Sequence, residues 1–184
     1  MSNDKKLKLN SQIVIVINGK GGVGKDTICM MASKLFFAKT ISAITPVKEI
    51  AHLCGWEGGK DNKSRKFLSD LKSLLIDYND LPNRYLVDEF KQFKAQSQID
   101  VLFVHIREPA QIMDFMNRIY GPRVTLLVRS DRKEILKQKY GNTADDNVEK
   151  YCYDYIFDNN LSLDVLTDKV NEFLVQLFTK EGVL

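Results

Sequence analysis

A glycine-rich segment near the N-terminus holds the residues whose types and spacing most clearly suggest chemistry. The letters GKGGVGKDT follow the apolar run QIVIVIN, and their GxxxxGK spacing puts Lys25 directly after the last glycine. Glycines let backbone N–H groups turn inward around a phosphate, a helix beginning there points its positive end at it, and a lysine reaches the outer phosphate oxygens. The segment therefore predicts an ATP site. The expected binding residues are Gly19, Lys20, Gly21, Gly22, Val23, Gly24, Lys25, Asp26 and Thr27.

Asp26 is the unusual residue of this segment, because a serine or threonine commonly follows the lysine of such a loop. A carboxylate beside a triphosphate is repelled unless a cation or a group of the substrate lies between them. Asp26 could therefore bind Mg²⁺, directly or through water, or accept a hydrogen bond from the acceptor of a transferred group. Both roles stay open. We predict Asp26 and the hydroxyl of Thr27 as magnesium ligands.

Basic residues later in the chain could complete a site for two polyanions. Arg107 follows an apolar strand, and ligands collect at the carboxyl ends of strands in open α/β sheets. It could clamp an acceptor phosphate, or simply pair with Glu108. Arg129 and Arg132 follow another strand in a lid-like segment at about 129–150, where they could neutralise a transferring phosphoryl group or begin a solvated helix. The predicted catalytic residues are Lys25, Asp26, Arg107, Arg129 and Arg132.

A second set of cations is predicted to bind the acceptor. These residues are Lys48, Arg65, Lys66 and Arg107, although the first three could be ordinary surface charges. Trp56 lies in the glycine-containing stretch WEGGKD just before a predicted helix. We expect this stretch to move when an acceptor binds, and Trp56 either packs beneath it or stacks on a nucleobase.

Alternating strand and helix patterns indicate the architecture that positions these residues. The predicted strands are 12–17, 40–44, 100–106, 123–128 and 153–157, and the central ones are almost continuously apolar. Such strands are typical of a parallel sheet covered on both faces. Helices fill the gaps, so the pattern predicts one α/β domain over residues 1–184 with a flexible N-terminus at 1–11.

Three predicted helices have apolar stripes that we expect to be core. One begins near Pro82, and another begins after a cap at Ser162 or Asn160. The third covers 62–77. Its stripe consists of Phe67, Leu68, Leu71, Leu74, Leu75 and Tyr78.

Composition limits the possible partners. The chain has 184 residues, 44% of them hydrophobic and 28% charged, with a formal net charge of +3. This charge offers no independent case for nucleic acid or a membrane as partner. Three widely spaced cysteines favour reduced thiols, so we expect a cytoplasmic protein. We also expect a monomer or a homodimer.

The letters KGGVGK also resemble the loop of the partition and septum-site ATPases, in which the lysine at position 20 would contact nucleotide across a dimer. That family needs acidic residues at the ends of two later strands. Here the segment TISAITPVK has no acidic residue before Glu49, and His105 stands where an aspartate would be expected. Both differences argue against this family.

The letters GKDT resemble instead the phage-type deoxynucleoside monophosphate kinases and their bacterial relatives. The stretches TPVKEIAHLCGW, VLFVHIREP and YDYIFDNN are similar to later parts of these kinases, so the resemblance reaches from about 13 to 177. It implies a three-layer P-loop NTPase fold with a mostly parallel five-stranded sheet, like that of the nucleoside monophosphate kinases. It also implies that a turn at Asn159 and Asn160 approaches adenine.

The activity that the resemblance implies is transfer of the γ-phosphoryl group from Mg-ATP to a small phosphorylated acceptor, above all a (deoxy)nucleoside monophosphate. Two alternatives remain. One is a kinase for dephospho-coenzyme A or another phosphorylated metabolite. The other is a nucleotide switch without kinase activity, in which Lys20 acts across a dimer.

Overall fold

A five-stranded parallel sheet forms the centre of the protein. The computed structural model describes residues 6–59, 61–132 and 147–184. The strands are β1 (Ile13–Asn18), β2 (Ala38–Ser42), β3 (Val101–His105), β4 (Arg123–Arg129) and β5 (Tyr155–Asp158). They lie in the order β2-β3-β1-β4-β5, and every neighbouring pair is parallel. The predicted α/β class with a parallel five-stranded sheet is confirmed.

Helices cover both faces of this sheet. In the described part of the chain they are α1 (Lys25–Leu35), α2 (Thr45–Leu53), α3 (Asn62–Asn79), α4 (Leu81–Ala95), α5 (Pro109–Arg118) and α6 (Leu163–Lys180), with a 3₁₀ turn at Val148–Lys150. Within these residues, no helix carries an apolar stretch long enough to cross a bilayer.

The central strand β1 is buried along its whole length, which explains its uninterrupted apolar sequence. Successive side chains of a strand point to opposite faces. Ile13, Ile15 and Ile17 therefore join one core with α1 and α6, whereas Val14 and Val16 join a second core with α4 and α5. The result is three layers, with the sheet between two sets of helices.

Two strands begin two residues away from their predicted starts, whereas the bounds of the other three differ by no more than one residue. β2 begins at Ala38, two residues before the predicted 40–44, because Ala38 already pairs with Val101 of β3. β2 is an edge strand, where polar residues are tolerated. Such residues at its start led to a predicted strand that begins too late. β5 begins at Tyr155 instead of residue 153, because Asp154 uses its carboxylate to accept hydrogen bonds from the N–H and hydroxyl of Thr125, both 2.8 Å long.

The expectation that the apolar stripe of α3 is core is wrong. All of α3 is described, and none of its side chains is buried. Leu74 is 63% exposed and Tyr78 is 81% exposed. The main contacts of α3 are with α2 and α4, not with the sheet. Its apolar stripe therefore packs only against the outer sides of two helices and stays partly exposed.

The starts of two helices agree with their sequence signals. Pro82 lies in the first turn of α4, as expected, because proline needs no N–H partner there. Ser162 occupies the cap position of α6, although its side chain makes no cap hydrogen bond to the described residues.

The described part of the N-terminal segment, which was predicted to be flexible, packs on the domain. The N–H of Leu7 bonds the carbonyl of Leu35 at 2.8 Å, and the N–H of Asn10 bonds that of Val183 at 2.8 Å. Leu9 is buried, and Lys8 forms an ion pair with Asp100. Residues 6–11 therefore lie beside the end of α1 and the chain that follows α6.

Candidate nucleotide-binding site

The phosphate loop, residues 19–24, connects the carboxyl end of β1 to the start of α1. Because the sheet is parallel, the carboxyl ends of β1, β3, β4 and β5 meet at the same edge. This edge is where ligands bind in open α/β sheets. The strand order therefore brings the loop together with His105, Arg129 and Asp158.

Two glycines of the loop are required by close contacts with neighbouring strand ends. Gly19 has φ +148°, and a Cβ there would lie 2.3 Å from the carbonyl oxygen of Val128. Gly24 has φ +94°, and its Cβ would lie 2.5 Å from Nδ2 of Asn159. A side chain at either position would push the loop away from the ends of β4 and β5.

Lys25 folds back along this loop from the first turn of α1. Its ammonium group donates hydrogen bonds to the carbonyls of Gly19, at 2.5 Å, and Lys20, at 2.8 Å. A positive charge thus lies over the loop, close to the positive end of α1. Both charges favour a phosphate at this position.

Two buried asparagines hold the loop in this shape. Oδ1 of Asn18 accepts a 2.8 Å hydrogen bond from the N–H of Gly19, and its Nδ2 donates to the carbonyl of Arg107 at 2.9 Å. Nδ2 of Asn159 donates to the carbonyl of Val23 at 2.7 Å. Sequence reasoning missed Asn18, although a polar residue ending an apolar run was its signal. It placed Asn159 in a turn that approaches adenine, through the backbone more than the side chain.

Asn18 also connects the loop to the chain before β5. Its Nδ2 donates a 2.7 Å hydrogen bond to the hydroxyl of Tyr153, which in turn donates to the carbonyl of Val148 at 2.8 Å. Burial raises the pKa of Tyr153 to about 12, so the hydroxyl remains a donor at neutral pH. The hydrogen bonds of this hydroxyl to Asn18 and Val148 are therefore kept at neutral pH.

Asp26 lies in the first turn of α1 with its side chain 98% exposed. Its Oδ1 is 3.7 Å from Nε2 of His105, which is too long for a hydrogen bond. The same nitrogen lies 3.6 Å from the sulfur of Cys29. The sheet thus brings an imidazole and a carboxylate together, a pair that sequence reasoning did not predict.

The imidazole and the thiol are both uncharged at neutral pH. Burial lowers the pKa of His105 to about 4; Asp26 opposes this shift, while the positive charges of Lys25 and Arg107 add to it. Burial also raises the pKa of Cys29 to about 12. His105 therefore carries one ring proton, and its two ring nitrogens have different roles.

Arg107 follows β3 with an exposed side chain, and the adjacent Glu108 is engaged by another residue. Nζ of Lys72 donates to both carboxylate oxygens of Glu108 at 2.8 Å and to Oε1 of Gln111 at 2.7 Å. Lys72, on α3, was not singled out in the sequence. Its ion pair fixes the start of α5, and so the backbone next to Arg107.

The two arginines after β4 have different surroundings. Arg129 forms a bidentate pair with Asp158, with Nε–Oδ1 and Nη2–Oδ2 distances of 2.8 and 3.0 Å. Arg132 donates to the hydroxyl of Ser130 at 3.0 Å and reaches the carbonyl of Gly22 at 3.5 Å. Arg132 therefore lies beside the phosphate loop, whereas Arg129 joins β4 to β5. Of the predicted lid-like segment, residues 133–146 lie outside the described residues.

The remaining predicted cations are spread over other elements. Lys20 pairs with Glu149 at 3.1 Å, which connects the loop to the 3₁₀ turn. Lys48 is exposed on α2, and Arg65 is exposed in the first turns of α3. Lys66 pairs with Asp70 of its own helix at 2.6 Å, so its charge is directed along α3.

Trp56 follows α2 and packs against a neighbouring ring. Its ring centroid lies 4.8 Å from that of His52, at an interplanar angle of 48°. The indole Nε1 is buried and has no hydrogen-bond partner among the described residues. Trp56 therefore packs on α2, and its stacking on a nucleobase stays a prediction.

The donor set of the loop fits a magnesium ion that arrives with nucleotide. In the part of the chain that the structure describes, no three His, Cys, Asp or Glu side chains form a metal-holding group. Mg²⁺ commonly uses one or two carboxylates together with phosphate oxygens and water. Asp26, whose carboxylate is exposed, and Thr27 both lie in the first turn of α1 next to the phosphate loop, and their side chains carry oxygen donors of this kind.

Comparisons with solved structures agree with this architecture. An unliganded sugar kinase from a Janibacter species is 13% identical with a TM-score of 0.52, over 89% of this chain and 94% of that chain. The tunicamycin resistance protein of Deinococcus radiodurans is 13% identical with a TM-score of 0.51, over 89% and 96%. Neither a protein-family model nor a curated protein matches the sequence. The chain thus shares the three-layer α/β fold of these proteins.

Proposed function

We propose that the protein is an ATP-dependent phosphotransferase whose acceptor is a small phosphorylated molecule of the (deoxy)nucleoside monophosphate class. The observation that carries this proposal is the position of Lys25. Its ammonium bonds the carbonyls of Gly19 and Lys20 over a glycine loop that opens at the carboxyl edge of the sheet. The nucleotide donor binds there, with its β- and γ-phosphates against the loop and Lys25.

Charge around the loop supports transfer in preference to simple binding. Phosphoryl transfer is catalysed mainly by positioning of the reactants and by neutralisation of the charge on the transferring group. Lys25 and Arg132 supply positive charge on the side of the phosphate loop, and Arg107 supplies it at the end of the neighbouring strand β3. Arg129 can contribute only after it leaves Asp158.

The reaction needs no oxidant and no covalent enzyme intermediate. A phosphate oxygen of the acceptor forms a bond to the γ-phosphorus in line with the bond to the β-phosphate oxygen, which breaks and leaves ADP. Asp26 and Thr27 would hold a magnesium ion, and its charge would help to neutralise the phosphates there.

The acceptor side is assigned to the segment between β2 and β3. This segment contains α2, α3 and α4 and includes the exposed cations Lys48 and Arg65. Together with Arg107, they can bind the phosphate of a second anionic ligand. Lys66 joins them only when its pair with Asp70 opens.

The test is ADP formation from Mg-ATP with a panel of nucleoside and deoxynucleoside monophosphates and dephospho-coenzyme A. Asp26→Ala is compared with Asp164→Ala, since both aspartates lie in the first turn of a helix. The matched variant removes the same favourable interaction with a helix dipole. We expect acceptor-dependent turnover that falls roughly 100-fold or more in Asp26→Ala and persists in Asp164→Ala.

Other outcomes of this panel are equally informative. Turnover with dephospho-coenzyme A alone would assign a metabolite kinase with a different acceptor. ATP binding without turnover on any acceptor, accompanied by nucleotide-dependent dimerisation and slow hydrolysis, would replace the kinase with a nucleotide switch that uses Lys20.

A further inference from the structure

His105 is a chemically active side chain that the proposed reaction does not yet use. It ends β3, next to the central strand, and its side chain is only 13% exposed. Its Nε2 faces two groups of α1, Oδ1 of Asp26 at 3.7 Å and the sulfur of Cys29 at 3.6 Å. Packing alone would be satisfied by an apolar residue, whereas an imidazole here offers a directed hydrogen bond.

The geometry requires only a small movement to form that bond. Asp26 is 98% exposed, so its carboxylate can rotate without disturbing the core, whereas the ring of His105 is held by burial. A closure of less than about 1 Å brings the 3.7 Å separation into hydrogen-bond range. A carboxylate can only accept, so Nε2 must carry the ring proton.

We propose that His105 is a positioning residue that donates its Nε2 proton to Asp26 when nucleotide occupies the loop, leaving the other oxygen of Asp26 for magnesium. This inference rests on the proposed function. Carboxylates that bind metals are commonly held by such a second hydrogen bond, which fixes their orientation.

The identity of residue 105 also follows from this arrangement. A carboxylate at this position would face Asp26 at close range, and two like charges so close repel each other. A neutral donor avoids that repulsion. With Asp26 in the loop, a histidine at the end of β3 thus supports the single acid instead of adding a second one.

The first test compares three variants. His105→Gln keeps a side-chain N–H donor, His105→Leu removes it at similar size, and Cys29→Ala removes only the sulfur contact. Calorimetry measures ATP affinity with and without Mg²⁺, and steady-state kinetics separate kcat from KM. We expect His105→Leu to reduce the gain in ATP affinity from Mg²⁺ by about 10- to 100-fold and to lower kcat. His105→Gln should restore most of both, and Cys29→Ala should change neither.

A double-mutant cycle separates positioning from packing. In an Asp26→Ala background, His105→Leu should have no further effect on the magnesium dependence of ATP affinity. Equal effects in both backgrounds, or failure of glutamine to restore more than leucine, would overturn the inference.

A spectroscopic measurement on the unmodified protein covers the case in which His105→Leu does not fold. The chain has two histidines, so ¹⁵N-histidine spectra are simple, and His52→Gln assigns them. We expect Mg-ATP to move His105 to the Nε2–H form with a hydrogen-bonded shift, and Asp26→Ala to abolish this change. Unchanged ring shifts in the nucleotide complex would overturn the inference.

These measurements distinguish the two proposals. ATP binding with the expected change at His105 but no acceptor-dependent turnover would support the positioning role and overturn the kinase. Acceptor-dependent turnover with unchanged ring shifts at His105 would support the kinase and overturn the positioning role. Absence of ATP binding would overturn both.

Discussion

The side-chain amide of Asn159 donates a 2.7 Å hydrogen bond to the carbonyl of Val23 and so ties the end of β5 to the phosphate loop. The residue is buried. The adjacent Asn160 is exposed and instead accepts a 2.9 Å hydrogen bond from the N–H of Asp131. Two neighbouring amides therefore hold two different loops at the same edge of the sheet.

Asn159→Ala should lower both loop order and stability. Its loss leaves the carbonyl of Val23 without this donor in a buried place, which costs about 1–3 kcal/mol in the free energy of unfolding. ATP affinity should fall as well, because the loop is no longer held in the binding shape. Urea unfolding and calorimetry measure the two effects, with Asn160→Ala as the exposed control. Equal losses in the two variants would contradict a specific role for Asn159.

Gly24→Ala should be more harmful than its backbone angle alone explains. Alanine at φ +94° is strained by about 1–2 kcal/mol, and its Cβ would also lie 2.5 Å from Nδ2 of Asn159. Gly182→Ala is the matched control, because Gly182 has φ +68° and nothing within 4 Å of its Cβ. We expect both variants to be destabilised, but only Gly24→Ala to lose ATP binding. Retained ATP affinity in Gly24→Ala would argue against the close packing of the loop on Asn159.

In the absence of nucleotide, acid should lower the free energy of unfolding of the protein because His105 is buried as an uncharged ring. Burial lowers the pKa of this ring to about 4, so between pH 6.5 and 4 the unfolded chain binds more protons than the folded one. The stability that the protein gains from burying His105 as an uncharged ring is therefore fully present above pH 6.5. It is lost as the pH falls to about 4. The free energy of unfolding should decrease by up to about 1.4 kcal/mol per pH unit in this window.

Chemical denaturation at several pH values checks this dependence. His105→Gln should flatten the slope between pH 6.5 and 4, whereas His52→Gln, which changes an exposed ring, should keep it. An unchanged slope in His105→Gln would mean that other groups control acid stability.

The exposed face of α3 predicts a contrast between two leucines. Leu74 is 63% exposed on α3, whereas Leu86 on α4 is fully buried. Leu74→Ala should change the free energy of unfolding by no more than about 0.5 kcal/mol, and Leu86→Ala should reduce it by about 2–5 kcal/mol. Thermal or urea unfolding of the pair measures the difference. A loss of several kcal/mol in Leu74→Ala would mean that its exposed face is covered in solution.

The sequence predicted best those features that depend on neighbouring residues. β1, the glycine loop and the start of α1 follow one another directly, so their apolar run, glycines and Lys25 indicated the structure without tertiary information. The stripe of α3 was misleading because helical periodicity shows that one face is apolar, but does not show how deeply a neighbouring element covers it.

The contacts that shape the site join residues far apart in the chain. His105 meets Asp26 only because β3 lies beside β1, and Asn159 meets Val23 only because β5 ends near the loop. Lys72 of α3 likewise pairs with Glu108, which precedes α5. A single sequence identifies such residue types but not their pairing, since the pairing depends on strand order and helix packing.

The most direct test of the proposed activity follows the phosphoryl group itself. The protein is incubated with Mg²⁺, ATP labelled at the γ-phosphate and each deoxynucleoside monophosphate, and the products are separated by chromatography. We expect label in a deoxynucleoside diphosphate, with loss of this product in Asp26→Ala. Label that stays in ATP or appears only as free phosphate, while calorimetry shows ATP bound, would contradict the proposed kinase activity.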